Sequence, residues 1–188
     1  MRSIRKIAAT LFAAAAIPGA AGAATLGGYY YAVQYDYREF FSIADNKPFQ
    51  VVLAGNPFPA MAYDDVARRL LPQMQIAKPP PNLTFTYAQP VEMPRPWYRL
   101  YLIADPANDL EAYGVCATGN LRFRPGTPGL FYVYAIYCRN DQAMSQTTAW
   151  TAATGPTDPR IERLFRELFP VVFSEQQNRW ALSDPNFR

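Results

Sequence analysis

Histidine is missing from all 188 residues. Its absence removes the commonest general base near neutral pH, the Ser-His and Cys-His nucleophile pairs, and the usual zinc ligand. Lysine is scarce, since beyond residue 23 only Lys47 and Lys78 occur, each followed by a proline. A serine with lysine dyad can be drawn on paper through Ser42 or Ser145, but no motif places the partners together. No glycine-rich phosphate loop follows a strand, because Gly55-Asn56-Pro57 offers one glycine and its proline removes a donor, so nucleotide binding has no support. Cysteine occurs twice, at Cys116 and Cys138, too far apart for the two-residue spacing of a redox pair. No cofactor and no metal is expected.

The longest apolar run, Ile7 to Ile17, is also too short to cross a membrane. As a helix it rises about 16 Å against a hydrocarbon core of roughly 30 Å. It follows a basic start of Arg2, Arg5 and Lys6 and precedes the small-x-small sequence Ala21-Gly22-Ala23. That pattern predicts a cleaved export signal over residues 1–23 and a mature chain beginning at Ala24. No arginine pair precedes the run, which favours the general secretory route, and no cysteine stands at the first mature position to accept a lipid. The mature protein is therefore expected in the periplasm or secreted, with no stable membrane anchor.

Signal removal also changes the charge argument. The chain carries 18 basic and 15 acidic residues, and taking away Arg2, Arg5 and Lys6 leaves 15 of each. A formally neutral domain lacks the basic excess that neutralising a phosphate backbone requires, which excludes nucleic acid as a natural partner. What the chain has instead is aromatic mass, with 13 Tyr and 12 Phe, and abundant turn formers, with 18 Pro. Residues 24–188 suit a single domain with a real core. In an oxidising compartment the two cysteines are most simply a disulfide, whose closed loop of 22 positions contributes on the order of 3 kcal/mol.

Local patterns mark the elements. Tyr31, Val33, Tyr35 and Tyr37 share one face of an extended strand if Thr25 to Phe41 follows the two-residue period. Such an aromatic ladder can stack on sugar rings or line a partner groove, although half-buried strand packing is its commoner use. Phe49 to Ala54 is a second strand that stops at Gly55-Asn56-Pro57-Phe58. A helix is expected from about Pro59 to Leu71, ended or kinked by Pro72, with Asp64–Arg68 and Asp65–Arg69 pairs on its wet face. Pro79-Pro80-Pro81 reads as a connector, and strands follow over Leu83 to Tyr87 and Tyr98 to Ala104. Loops over Asp105 to Asp109 and Arg122 to Gly129 precede a hairpin of Leu130 to Cys138 and Ala143 to Ala153. The last helix starts on the Asp158 cap with Pro159, buries Ile161, Leu164, Phe165, Leu168 and Phe169, and ends near Pro170. The tail from about residue 174 is expected to be only partly ordered. The order predicts an α+β domain, a mostly antiparallel sheet with two helices packed on one face, with a β-sandwich carrying peripheral helices as the alternative.

Candidate chemistry is thin. Asp64 and Asp65 are adjacent on a helix and diverge, while Asp105, Asp109 and Glu111 could converge in one loop yet lack the glycine and alternation of a calcium site. Solvated loop charge is the simpler reading of these acids. Arg95, Arg99, Arg122 and Arg124 are expected near one sheet edge, where they could receive an anion such as a lipid phosphate or a glycan carboxylate, with Phe123 and Pro125 interleaved.

The strand entering Gly55-Asn56-Pro57-Phe58, the sequence Tyr137-Cys138-Arg139, and Thr154-Gly155-Pro156-Thr157-Asp158-Pro159-Arg160 before a helix ending Leu168-Phe169-Pro170 together resemble an uncharacterised group of small exported proteins of proteobacteria. The resemblance spans about Phe49 to Pro170 and implies an exported domain of this architecture, with Cys116 and Cys138 matching a paired-cysteine pattern. Unlike the lipoprotein-like members, this chain has no acylated cysteine. The function expected from residues and resemblance together is a non-catalytic cell-envelope module that binds protein or glycan through the aromatic strand or the basic loop. A carboxylate-based enzyme acting on envelope polysaccharide is the rival, and a small periplasmic inhibitor presenting the Arg122 to Gly129 loop is the third reading.

Overall fold

The computed structural model describes residues 24–176. The expected export signal, residues 1–23, and the tail residues 177–188, including Trp180 and Phe187, lie outside the described residues. The chain forms β1 (Thr25–Tyr31), α1 (Tyr37–Ala44), β2 (Pro48–Ala54), α2 (Tyr63–Ala77), β3 (Thr84–Thr86), β4 (Tyr98–Ala104), α3 (Ala112–Thr118), β5 (Leu130–Arg139), β6 (Gln142–Ala152) and α4 (Pro159–Val172). The strands make one sheet in the order β1-β6-β5-β4-β2-β3. Pairing is antiparallel from β1 through β4, whereas β2 runs parallel to both β4 and β3. The class is α+β and mostly antiparallel, and a single open sheet replaces the sandwich alternative. Among the described residues no helix is long and apolar enough to cross a membrane.

Both faces of the sheet are covered, which corrects the expectation of two helices on one face. Val51, Leu53, Leu100, Leu102, Val133, Ala135 and Tyr137 alternate onto one side and pack with α1, α2 and α4. Ala54, Tyr101, Ile103, Ile136 and Cys138 point to the other and pack with Ala112, Val115 and Cys116 of α3. The larger core centres on aromatic rings: Phe40 stacks on Phe173 at 4.2 Å, and Phe49 and Tyr137 close edge-on around them. Fully burying each ring contributes roughly 2–3 kcal/mol. This is where much of the aromatic surplus goes.

Element boundaries moved for local reasons. The aromatic ladder is not one strand, because Asp36 accepts a hydrogen bond from the Arg38 amide at 2.8 Å and starts α1 as its N-cap. Phe40 and Ala44 then bury at helical spacing. The helix expected from Pro59 begins instead at Tyr63, since the Asn56 side chain accepts from the Phe58 amide and donates to the Met61 carbonyl, holding a loop. Pro72 does not end α2, because Met74 and Ala77 extend its buried stripe beyond the proline, which lies exposed. Its wet face pairs Asp65 with Arg68 at 3.0 Å rather than either residue four positions on. Pro170 is likewise inside α4, where Val172 and Phe173 continue the buried face.

The cap of α4 is as read from the sequence, with the Asp158 side chain accepting from the Arg160 amide, and Glu162 pairs with Arg166 at 2.7 Å. The hairpin of β5 and β6 turns through Asn140, whose φ of +51° an asparagine tolerates. α3 was not foreseen. It has seven residues, a glycine in its middle and no side-chain cap, too little for a periodic signal, and Gly119 at φ +67° ends it. Cys116 on α3 forms a disulfide with Cys138 on β5, with 5.7 Å between their Cα atoms. The bridge therefore ties α3 to the hairpin.

A candidate binding crevice at the ends of β2 and β4

β2 and β4 are parallel neighbours, but their continuations separate. β2 leads to α2 on one face of the sheet, and β4 leads to α3 on the other. Loops that diverge from the carboxyl ends of adjacent parallel strands leave a gap, and in open sheets such gaps are where ligands bind. Here the gap is a cavity of about 720 Å³, lined mostly by apolar groups that include Pro57, Phe58, Met61, Phe123 and Pro128. Gly55, at φ +77°, is required at its floor, because a Cβ there would stand 2.9 Å from the Ala104 carbonyl oxygen and 3.0 Å from the Phe123 ring.

The far wall is the Arg122 to Gly129 loop, fastened to the end of β4 by a short ladder. The Arg124 amide donates to the Asp105 carbonyl at 2.9 Å, the Ala107 amide donates to the Arg122 carbonyl at 3.0 Å, and Pro106 pairs antiparallel with Phe123. Asp105 itself adopts φ +45°, a left-handed conformation that costs an aspartate on the order of 1 kcal/mol. It is only 8% exposed. Among the described residues its carboxylate accepts no hydrogen bond and forms no ion pair, and burial raises its pKa, with the nearby Arg124 charge opposing the rise.

The four arginines do not gather. Arg122 is spent on Asp109, through a 2.7 Å ion pair and a bond to its carbonyl, and Arg124 lies over the Tyr132 ring while donating to Asn108. Arg95 and Arg99 sit at the opposite end of β4, roughly 20 Å along the strand. There they line a separate depression of about 630 Å³ with Trp97, Thr118 and Asp141. Arg99 is 3% exposed, with the Trp97 ring 3.7 Å from its guanidinium. It donates to the Cys116 carbonyl at 2.6 Å and the Asn140 carbonyl at 2.8 Å, one on each side of the disulfide.

The aromatic candidates are also divided. Tyr35 is 6% exposed and its hydroxyl donates to the Ser174 carbonyl, so its ring belongs to the core. Tyr31 and Tyr37 line a shallow groove with Tyr29, Pro79 and Pro80, and the Tyr31 hydroxyl donates to the Val171 carbonyl. Val33, expected on the same face, is 78% exposed in the turn before α1.

The catalytic constellations considered from the sequence do not assemble. Lys47 donates to the backbone carbonyl of Ser42, the Ser42 hydroxyl to Glu39, and the buried Ser145 hydroxyl to the Val172 carbonyl. Asp109 is held by Arg122 and Glu111 flanks the start of α3, and among the described residues no group of three potential ligands could hold a metal ion. The residue that sequence reasoning undervalued is Asp105, placed there among solvated loop charges. The signal that could have singled it out is its position directly after an apolar strand, Tyr98 to Ala104. The chain matches no protein-family model, no curated protein and no solved structure.

Proposed function

We propose that the mature chain is an exported, non-catalytic envelope module that receives an apolar segment of another protein in the crevice at the ends of β2 and β4. The observation that carries this reading is the cavity itself, about 720 Å³ of largely apolar lining built on a rigid strand pair and walled by a fastened loop. Export is supported by the basic and apolar pattern of residues 1–23, and the Cys116–Cys138 disulfide fits an oxidising compartment. The Arg122 to Gly129 loop enters as a wall of the site rather than as a free inhibitory loop. Prolines and phenylalanines favour a peptide over a glycan, whose hydroxyls need more polar partners than this lining presents.

The rival enzyme requires two carboxyl groups about 5 to 10 Å apart across the bond to be cleaved. Asp105 is the only acid among the described residues that line the crevice.

Immobilised mature protein and its Ala60→Trp variant, which fills the crevice from its rim, are to be compared on envelope extract. A component retained by the parent and lost with the tryptophan supports the reading. Identical retention by two equally folded proteins overturns it. N-terminal sequencing of the exported protein checks the cleavage, and a chain beginning at residue 1 refutes it.

A further inference from the structure

Asp105 is fixed in place before any ligand arrives. Its amide donates to the Tyr132 carbonyl at 3.1 Å and its carbonyl accepts from the Arg124 amide at 2.9 Å, so neither backbone group is left to turn the residue. The loop opposite presses against the carboxylate: a Cβ added at Gly126 would lie 2.5 Å from Oδ2. Glycine is needed there for clearance, and the remaining approach to the carboxylate is from the crevice that both residues line.

A largely buried carboxylate that makes no hydrogen bond or ion pair is costly, and buried charges are ordinarily paired. Asp158, the other buried aspartate among the described residues, obeys that rule with Arg160. Arg124, which lines the same crevice, opposes the Asp105 charge without bonding it, since its guanidinium donates to Asn108 and lies over the Tyr132 ring. A divalent metal is a poor occupant, because it needs several oxygen ligands and the crevice lining holds one acid. A neutral hydroxyl would satisfy a lone pair and leave the charge opposed only at a distance, by Arg124 of the same crevice lining. An organic cation satisfies the lone pair and meets the charge directly.

We infer that Asp105 is the charge-recognition residue of the crevice, accepting an ammonium or guanidinium group carried by the apolar protein segment that binds there. This rests on the binding reading proposed above and adds the chemistry of its partner: apolar side chains for Phe58, Phe123 and Pro128, and a lysine, arginine or terminal amine for Asp105.

Two small probes separate the two ideas. 2-Phenylethylammonium and 2-phenylethanol share a ring and differ in the cation. They are titrated at pH 7 into the mature protein and into Asp105→Asn, following the amide signals of Asp105, Phe123 and Gly126 by NMR. Asparagine keeps the shape and tolerates the left-handed backbone. The expected result is a preference for the ammonium of about tenfold in the parent, the equivalent of ~1.4 kcal/mol, falling to about one in the variant. Equal affinities in the parent, or a preference that survives in Asp105→Asn, overturn the charge assignment while leaving the crevice as a binding site. If neither probe shifts the crevice signals, the binding reading fails and this inference fails with it. The parent comparison needs no variant, so a misfolded substitution does not remove the test.

Discussion

The two ends of β4 each bury a charge, and they treat it in opposite ways. At the start of the strand the Arg99 guanidinium donates to two carbonyls, lies under Trp97 and spans the Cys116–Cys138 disulfide, with only its Nε buried without a hydrogen-bond partner among the described residues. At the other end the Asp105 carboxylate has no hydrogen-bond partner among the described residues and faces a cavity. The first end joins α3, the hairpin and the sheet into one unit, so its buried cation is explained by what it holds together. The second end holds nothing with its carboxylate. A buried charge that bonds other elements of the fold reads as architecture, and one that bonds nothing reads as a site.

The comparison is most severely tested by unclamping the first end. Replacing Cys116 and Cys138 together by serine should lower stability by about 3 kcal/mol in denaturant titration, because the bridge closes a separation of 22 residues. Mapping of unreduced peptides should find the two cysteines joined, and two free thiols would remove that difference between the ends.

Arg99→Ala should cost about 2–3 kcal/mol, since it strands the buried Cys116 carbonyl, frees the partly buried Asn140 carbonyl and removes the cation from under Trp97. A loss below about 0.5 kcal/mol in a guanidinium chloride titration would mean the cation is not a clamp.

Asp158 supplies the paired carboxylate against which Asp105 is judged. Asp158→Ala should cost about 1 kcal/mol through loss of the α4 cap. Hydrogen bonds from Arg160 hold the Asp158 pKa well below its ordinary value of 3.8. Its contribution is therefore present above about pH 4 and fades as pH falls toward the folded value, so the parent and Asp158→Ala melting temperatures should converge in acid.

The smallest effect should have the opposite sign. Burial raises the Asp105 pKa above its ordinary 3.8, so the folded state binds the proton more tightly and folding bears a penalty once both states are ionised. Asp105→Asn should then raise the melting temperature at pH 7 by about 1–3 °C, a gain that vanishes below pH 3.8. A destabilised Asp105→Asn at neutral pH would show that the carboxylate has a structural role and would erase the contrast between the two ends.

How much of this was legible in the sequence follows from the range of each interaction. The α4 cap at Asp158, the stripe from Ile161 to Phe169 and the β5–β6 hairpin are specified by residues within a few positions of one another, and each is where the pattern put it. The tyrosine run misled because its two-residue period competed with the Asp36 cap, which sets the helical register that buries Phe40 and Ala44. α2 outlasted Pro72 because burial of Met74 and Ala77 outweighed one missing donor. The site was less legible still: Asp105 differs from Asp109 only in what surrounds it, and those surroundings come from Tyr132, Arg124 and Gly126, well separated along the chain.

By itself the sequence determined the absence of histidine chemistry, the balanced charge of residues 24–188, the pairing expected of two cysteines in an oxidising compartment, and most strands and helices, because each depends on composition or on neighbours a few residues apart. Only the tertiary structure decided that β2 and β4 run side by side and that their helices leave to opposite faces. That divergence opens the crevice and buries one aspartate whose carboxylate accepts no hydrogen bond among the described residues, an outcome of long-range packing that no local pattern in the chain encodes.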